Sequence, residues 1–213
     1  MEGNCILLRV FGPFAGFFRP EMKVEAVTYE VMTPTAARAI LECIYWKPQM
    51  EWIIEGIHVL KKINCMSLKW NGVKEKISLS GVLSGRQTYI DTTAPTVRDQ
   101  RNATLLRNVD YVIKARFKVV SGKDDVEKHA AMFQRRASKG QYYTKPYFGC
   151  REFSVEGFEL IKQIPPSEVT GTLNLGYMLH SINYNNYQPA FFNATLVDGY
   201  MRVPEDNSSE VKK

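Results

Sequence analysis

Three stretches of this 213-residue chain predict an α+β fold, an open sheet with two helices on one face. The first is a strand–helix–strand unit near the start, whose helix opens at Thr33-Pro34. The second is "VDYVIKARFKVV", residues 109–120, which alternates as a half-buried strand does and is followed by another helix. The third is the change at about residue 145 to a Gly- and Pro-punctuated sequence rich in β-formers, running from Tyr142 to Pro204.

In order along the chain, residues 5–11 predict a first strand, which Gly12, Pro13 and Gly16 then break. "VEAVTYEV", residues 24–31, alternates well enough for a second extended segment. Thr33 can cap the first helix and Pro34 suits its first position, while Ala37, Ile40, Leu41 and Ile44 recur at helical spacing. Lys47-Pro48 ends it, which leaves Tyr45 and Trp46 in the last turn. "EWIIEGIHVLKKI", residues 51–63, reads as a strand with Gly56 as a bulge. Residues 64–108 are turn-rich, a hairpin set or a long excursion.

In the strand at 109–120, Val109, Tyr111, Ile113, Ala115, Phe117 and Val119 point one way. Lys114, Arg116 and Lys118 point the other, an anion-binding surface or a solvated face. The second helix opens at Asp124 or Asp125 and stops at Gly140. Its expected buried stripe is Val126, Ala130, Phe133 and Ala137; Lys128, Met132, Arg135 and Lys139 form a mostly basic stripe, with Arg136 added to that side. Two strand–helix–strand units split by an excursion suggest a ferredoxin-like, or RNA-recognition-like, domain over 1–145. Residues 146–213 would form a small C-terminal antiparallel β domain.

Composition narrows the function classes. Hydrophobic residues make up 45% and charged residues 23%, as in ordinary globular proteins. No apolar run reaches the roughly 18 residues of a membrane helix. The N-terminal stretch reads as strand and turn rather than as a signal peptide. Cys5, Cys43, Cys65 and Cys150 are scattered, without a C-x-x-C pair, which argues against a zinc site or disulfide scaffold and for a reduced, cytoplasmic protein. The sequons at Asn102, Asn193 and Asn207 are then chance. The net charge of +6 suits a polyanionic partner without proving one. No metal or nucleotide motif is present, so no cofactor is expected.

Histidine is scarce: His58, His129 and His180 are the three. His58 and His180 sit among apolar residues and read as structural. His129 follows Lys128 at the front of the basic helix. Imidazole titrates near neutrality and an ammonium can hold charge that builds on a phosphorane, but a Lys-His dipeptide alone is a very weak signal, better explained as solvated helix polarity. Tyr45 is expected to be core unless the end of the first helix meets the start of the second.

A wider pattern then adds to this reading. "VFGPFAGFFRPEMK", "TYEVMTPTAARAILECIYWKP", "VDYVIKARFKVV", "KHAAMFQRRASKG", "FGCRE", "LGYMLHSINY" and "VDGYMRVP" stand in this order along nearly the whole chain. The chain thereby resembles the CRISPR-associated Cas-five family, d variety, the repeat endoribonucleases of type I-C systems within the RAMP superfamily. The resemblance implies metal-independent RNA cleavage by Tyr45, Lys128 and His129. It implies a precursor-RNA repeat hairpin as substrate, a 2′,3′-cyclic phosphate product, and retention with the mature guide RNA as a subunit of the type I-C surveillance complex. The fold it implies is a ferredoxin-like domain with a C-terminal β-sheet. The family's K-x-G-G-R-R-D run reads "KGQYYT" here, lacking a glycine and two arginines, and the usual glycines around "MKVEAV" are missing. Lys145 and Arg151 can compensate as RNA contacts, and Tyr142 or Tyr143 can stack on a base. Two other readings compete: a non-catalytic subunit holding the guide's 5′ handle, and a double-stranded nucleic-acid binder that engages target DNA.

Overall fold

Ile6, Leu8 and Val10 are buried while their neighbours are partly exposed, and this alternation forms strand β1 (Ile6–Ala15). In the computed structural model, which describes residues 5–120 and 126–212, β1 does not stop at Gly12. It stays paired with a long strand β5 (Arg98–Val119) as far as Ala15↔Leu106. Strand β6 (Gly157–Leu160) flanks its other side only to Phe11, so Pro13 sits where β1 has an edge and proline's missing N–H is tolerated.

The segment at 24–31 yields only a two-residue strand, β2 (Ala26–Val27), parallel to β5. Tyr29, Val31 and Met32 beyond it are fully buried without a ladder partner, their side chains packed in the core. Helix α1 (Pro34–Ile44) begins as the sequence predicts: the Ala36 N–H donates to the Thr33 hydroxyl, and Ala37, Ile40, Leu41 and Ile44 are buried. Its end differs. Tyr45 is the C-cap, with extended backbone angles (φ −154°, ψ 122°), and Trp46 lies beyond the helix.

Strand β3 (Met50–Val59) is shorter than the predicted 51–63 and shifts register between Ile54 and Gly56. A Cβ at Gly56 would overlap the Tyr200 ring, so the bulge glycine makes room for that tyrosine. The excursion is a β-ribbon with a short helix: β4 (Cys65–Val73) pairs with the first half of β5, and α2 (Leu79–Leu83) lies between them. Asn108, at φ 54°, divides β5 into this ribbon half and a central half between β1 and β3.

Helix α3 (Val126–Ser138) follows, and its predicted cap at Asp124 or Asp125 lies outside the described residues. Gly140 (φ 64°) ends it in the left-handed conformation, its N–H donating to the Ala137 carbonyl. The buried residues of α3 are His129, Phe133 and Ala137; Val126, expected in the stripe, is 42% exposed. Trp52 of β3 is fully buried under both helices, edge-on to Phe117 at 5.3 Å and to Phe133 at 4.9 Å.

Four more strands complete the fold: β7 (Thr172–Asn183), β8 (Gln188–Val197), β9 (Tyr200–Arg202) and β10 (Val211–Lys212). The sheet order is β10-β8-β9-β3-β5-β1-β6, with β7 on β8. The protein is therefore a mixed fold with one large, mostly antiparallel sheet and few helices. Strands after residue 145 hydrogen-bond to strands before it, β6 to β1 and β9 to β3. His180 is buried and structural, bound to the Pro204 carbonyl (2.8 Å) and the Ser181 hydroxyl (3.2 Å). His58 is half-buried against Tyr200. The four cysteines are free thiols.

Candidate functional site

The last carbonyls of α1 have no helical partners, and distant parts of the chain supply them. The Cys43 carbonyl accepts from the N–H groups of Tyr143 (2.8 Å) and Thr144 (3.3 Å). The Ile44 carbonyl accepts from the Arg136 guanidinium (3.1 Å), and the Tyr45 carbonyl from the Trp52 indole (3.0 Å). Arg136 thus places positive charge at the negative pole of the helix. It also lies over the Tyr45 ring, 5.2 Å from its centre.

Held this way, the Tyr45 side chain turns into the seam between α1 and α3. Its hydroxyl is 2.9 Å from Nδ1 of His129, across 84 residues of sequence. Either atom can donate, according to the histidine tautomer. Tyr45 is 3% exposed and His129 6%, so the pair lies beneath the surface. Lys128, next on the helix, is exposed. His129 and Arg136 stand two turns apart on the same face of α3, so both reach Tyr45.

This separates Arg136 from the basic stripe in which the sequence placed it. Arg136 faces α1, whereas Arg135 lines a different recess with Leu160, Ile161 and Lys162 beside β6. One residue is about 100° of helix rotation, enough to send neighbours to opposite flanks. Lys139 and Lys145 are exposed.

The cations of β5 have carboxylate partners. Lys114 and Arg116 meet Glu55 (3.6 and 3.1 Å), Arg116 also meets Glu205 (2.8 Å), and Lys118 meets Glu51 (2.8 Å). The sequence shows these cations on one face but not the acidic residues that the pairing with β3 sets opposite them. Their charge is largely offset locally.

Beside the seam, a cleft of about 680 Å³ opens past the C-terminal end of α1. Glu42, Cys43, Trp46, Lys47, Arg136, Tyr143, Tyr147 and Arg151 are among its lining. Trp46 is 52% and Tyr143 90% exposed. Burial pushes the Glu42 carboxyl above its usual value, opposed by the charge of Arg38. Burial likewise raises the Cys43 thiol. The "KGQYYT" departure is therefore built into the site, since its Tyr143 and Thr144 close the end of α1. Sequence reasoning missed Trp52, which fixes the Tyr45 backbone, and the link from Arg136 to Tyr45; no local signal marks either. Trp46 and Lys47 stand in "IYWKP" and were open to notice. Among the described residues, no group of three His, Cys, Asp or Glu side chains is placed to hold a metal ion.

The fold is that of a known class. The family model Cas_Cas5d, CRISPR-associated protein (Cas_Cas5), matches residues 5–204. A protein of Mannheimia succiniciproducens named CRISPR pre-crRNA endoribonuclease Cas5d is 43% identical over 224 residues, covering 99% of both chains. A protein of the same name from Thermus thermophilus is 31% identical over 225 residues, covering 96% of this chain and 93% of its own. The crystal structure of a CRISPR-associated protein superposes with a TM-score of 0.72 at 21% identity, over 98% of this chain and 96% of that one, a likeness of fold. The chain belongs to the Cas5d branch of the CRISPR-associated Cas5 family.

Proposed function

We propose that this protein cuts CRISPR precursor RNA within the repeat, without a metal ion, and then stays with the guide RNA as a subunit of the type I-C surveillance complex. The observation that carries the reading is the 2.9 Å contact of Tyr45 with His129, in a chain 43% identical to a named pre-crRNA endoribonuclease. The ribose 2′-hydroxyl upstream of the cut attacks the phosphorus and gives up its proton to the His129 imidazole, directly or by way of the Tyr45 hydroxyl, which passes its own proton on as it accepts. The P–O5′ bond breaks, the leaving 5′-oxygen takes a proton from the imidazolium so formed or from water, and the upstream fragment ends in a 2′,3′-cyclic phosphate. Lys128 offsets the charge that builds on the phosphoryl oxygens. His129 is buried in the free chain, so the seam between α1 and α3 has to widen at its mouth when RNA seats, with the Tyr45–His129 contact kept; catalytic contacts often align fully only in the complex.

Arg135, Lys139, Lys145 and Arg151, all exposed, are proposed to carry the RNA backbone, and Arg136 to serve both RNA and Tyr45. Lys114, Arg116 and Lys118 join them only if RNA displaces Glu51, Glu55 and Glu205. The order β3-β5-β1-β6, connected through α1 and α3, supports a ferredoxin-like reading of the N-terminal part; its fourth strand, β6 (Gly157–Leu160), carries that unit past the 1–145 expected from the sequence, and the strands after β6 make the appended β unit. A cytoplasmic location belongs to the same proposal; no described helix is long and apolar enough to cross a membrane. Engagement of target DNA and of the backbone and large subunits belongs to it as well.

The test is cleavage of repeat RNA carrying a single deoxyribose upstream of the cut. Cutting should stop while binding persists, excess EDTA should change nothing on the all-ribose substrate, and the upstream product should end in a cyclic phosphate. Cleavage of the deoxy substrate that EDTA abolishes would mean a metal-activated water and overturn the roles of Tyr45, Lys128 and His129. Binding with no cleavage of either substrate would favour the non-catalytic 5′-handle subunit.

A further inference from the structure

A path for phosphates needs cations, and the cleft at the end of α1 has them in Lys47, Arg136 and Arg151. It also holds a carboxylate, Glu42, which such a path does not explain. Glu42 is half-buried, and no hydrogen bond or ion pair among the described residues engages it. An ionised carboxylate only accepts hydrogen bonds, so a ligand seated here has to donate to it. Next to it are Trp46 and Tyr143, two large rings left 52% and 90% exposed. Tyr143 is nonetheless anchored, its N–H bound to the Cys43 carbonyl at 2.8 Å.

We infer that this cleft takes one unpaired guanine base of the bound RNA, with Glu42 reading its Watson–Crick edge and Trp46 and Tyr143 offering stacking faces. Guanine alone among the four bases presents two adjacent donors on that edge, N1–H and the N2 amino group. A carboxylate accepts such a pair in parallel, as it does from an arginine fork. Adenine and cytosine present a donor beside an acceptor, and uracil one donor between two acceptors, so each sets an acceptor against Glu42. Arg136 and Arg151 suit the O6 and N7 acceptors of the same base or the phosphate attached to it. Aromatic stacking on splayed bases is the usual way proteins hold single-stranded RNA. The inference depends on the nuclease reading only in taking the occupant to be part of an RNA strand.

Binding of single nucleotides to the purified full chain tests it. Of the three tryptophans, Trp46 is exposed in the cleft, Trp52 is fully buried, and Trp70, partly exposed on β4, is not part of the cleft lining, so quenching that Trp46→Phe abolishes reports on the cleft. Guanosine 5′-monophosphate should bind about 10-fold more tightly than the adenosine, cytidine and uridine monophosphates, the scale of one bidentate base contact. Inosine 5′-monophosphate, which lacks the N2 amino group, should lose most of that advantage. Glu42→Gln should erase the preference but keep weak stacking, and Trp46→Ala should weaken all four nucleotides alike. Calorimetry on Trp46→Phe should still find the guanine preference. Equal affinity for all four, a preference that survives Glu42→Gln, or complete competition by inorganic phosphate alone would overturn the assignment and leave a plain anion site. His129→Ala should bind guanosine monophosphate as the parent does. A chain that cuts repeat RNA but has no guanine preference refutes this pocket alone, and one that has the preference but never cuts refutes the nuclease reading alone.

Discussion

Replacing Tyr45 by phenylalanine removes one oxygen and leaves the ring, so the Arg136 stacking and the Trp52 bond to the Tyr45 carbonyl both survive. What is lost is the 2.9 Å bond to His129 Nδ1. Both partners are more than nine-tenths buried, so water cannot easily replace the missing hydroxyl. A buried polar atom deprived of such a partner costs about 1–3 kcal/mol. For a chain of this size that is a fall in Tm of roughly 2–12 °C. Cleavage should fall more steeply, by about 10²-fold, because the imidazole loses the group that orients it and exchanges protons with it. The assay is a double-mutant cycle on Tyr45→Phe and His129→Leu, read by urea denaturation and by single-turnover cleavage of repeat RNA. A coupling of about 0.5–3 kcal/mol is expected for residues in contact. Strictly additive effects on both readouts would refute the reasoning, since they would mean that the two side chains act independently despite their contact.

His129→Ala should slow cleavage by about 10²-fold or more while repeat-RNA affinity changes little, as gel-shift titration can measure. Arg135→Ala and Lys139→Ala should leave thermal stability unchanged and lower the salt slope of RNA binding by about 0.7–0.9 per contact; Arg136→Ala should in addition lower the Tm, because it also removes the bond to the Ile44 carbonyl. Trp52→Ala should destabilise by about 3–5 kcal/mol in chemical denaturation, the range for a buried tryptophan. Burial, with the nearby Lys114 charge, holds the His58 imidazole below its usual 6.5, so the folded chain binds fewer protons there than the unfolded one. Its contribution to stability should therefore be fully present above pH 6.5 and be lost as the pH falls through the lowered value; Tm measured against pH should show this decline, and His58→Asn should flatten it.

Local rules alone determined much of the scaffold. Thr33 and Pro34 start α1, the apolar spacing in it selects the buried face, and Gly140 stops α3. The alternation from Val109 to Phe117 marks residues that are buried in the central half of β5, but Asp110 and Val112 on the opposite face are buried as well, so the strand has an open face only from Lys114 on. These features are legible because capping, helical period and strand period act over a few residues. The same period misassigned Val126 and His129 on α3, since a stripe can be rotated by one position and still look amphipathic; only packing against α1 and the sheet fixes the rotation. Strand ends were equally out of reach. β1 runs on through Gly12-Pro13 because β5 offers a ladder there, and 24–31 fails to run because its ladder covers two residues. The charges of Lys114, Arg116 and Lys118 were visible, but Glu51, Glu55 and Glu205 reach them only through the register of β3 and the return of the chain's end. The family resemblance pointed to Tyr45, Lys128 and His129. Tertiary structure decided that two of them touch, because a hydrogen bond across 84 residues depends on how α1 ends and which face α3 turns inward, and no local period encodes either.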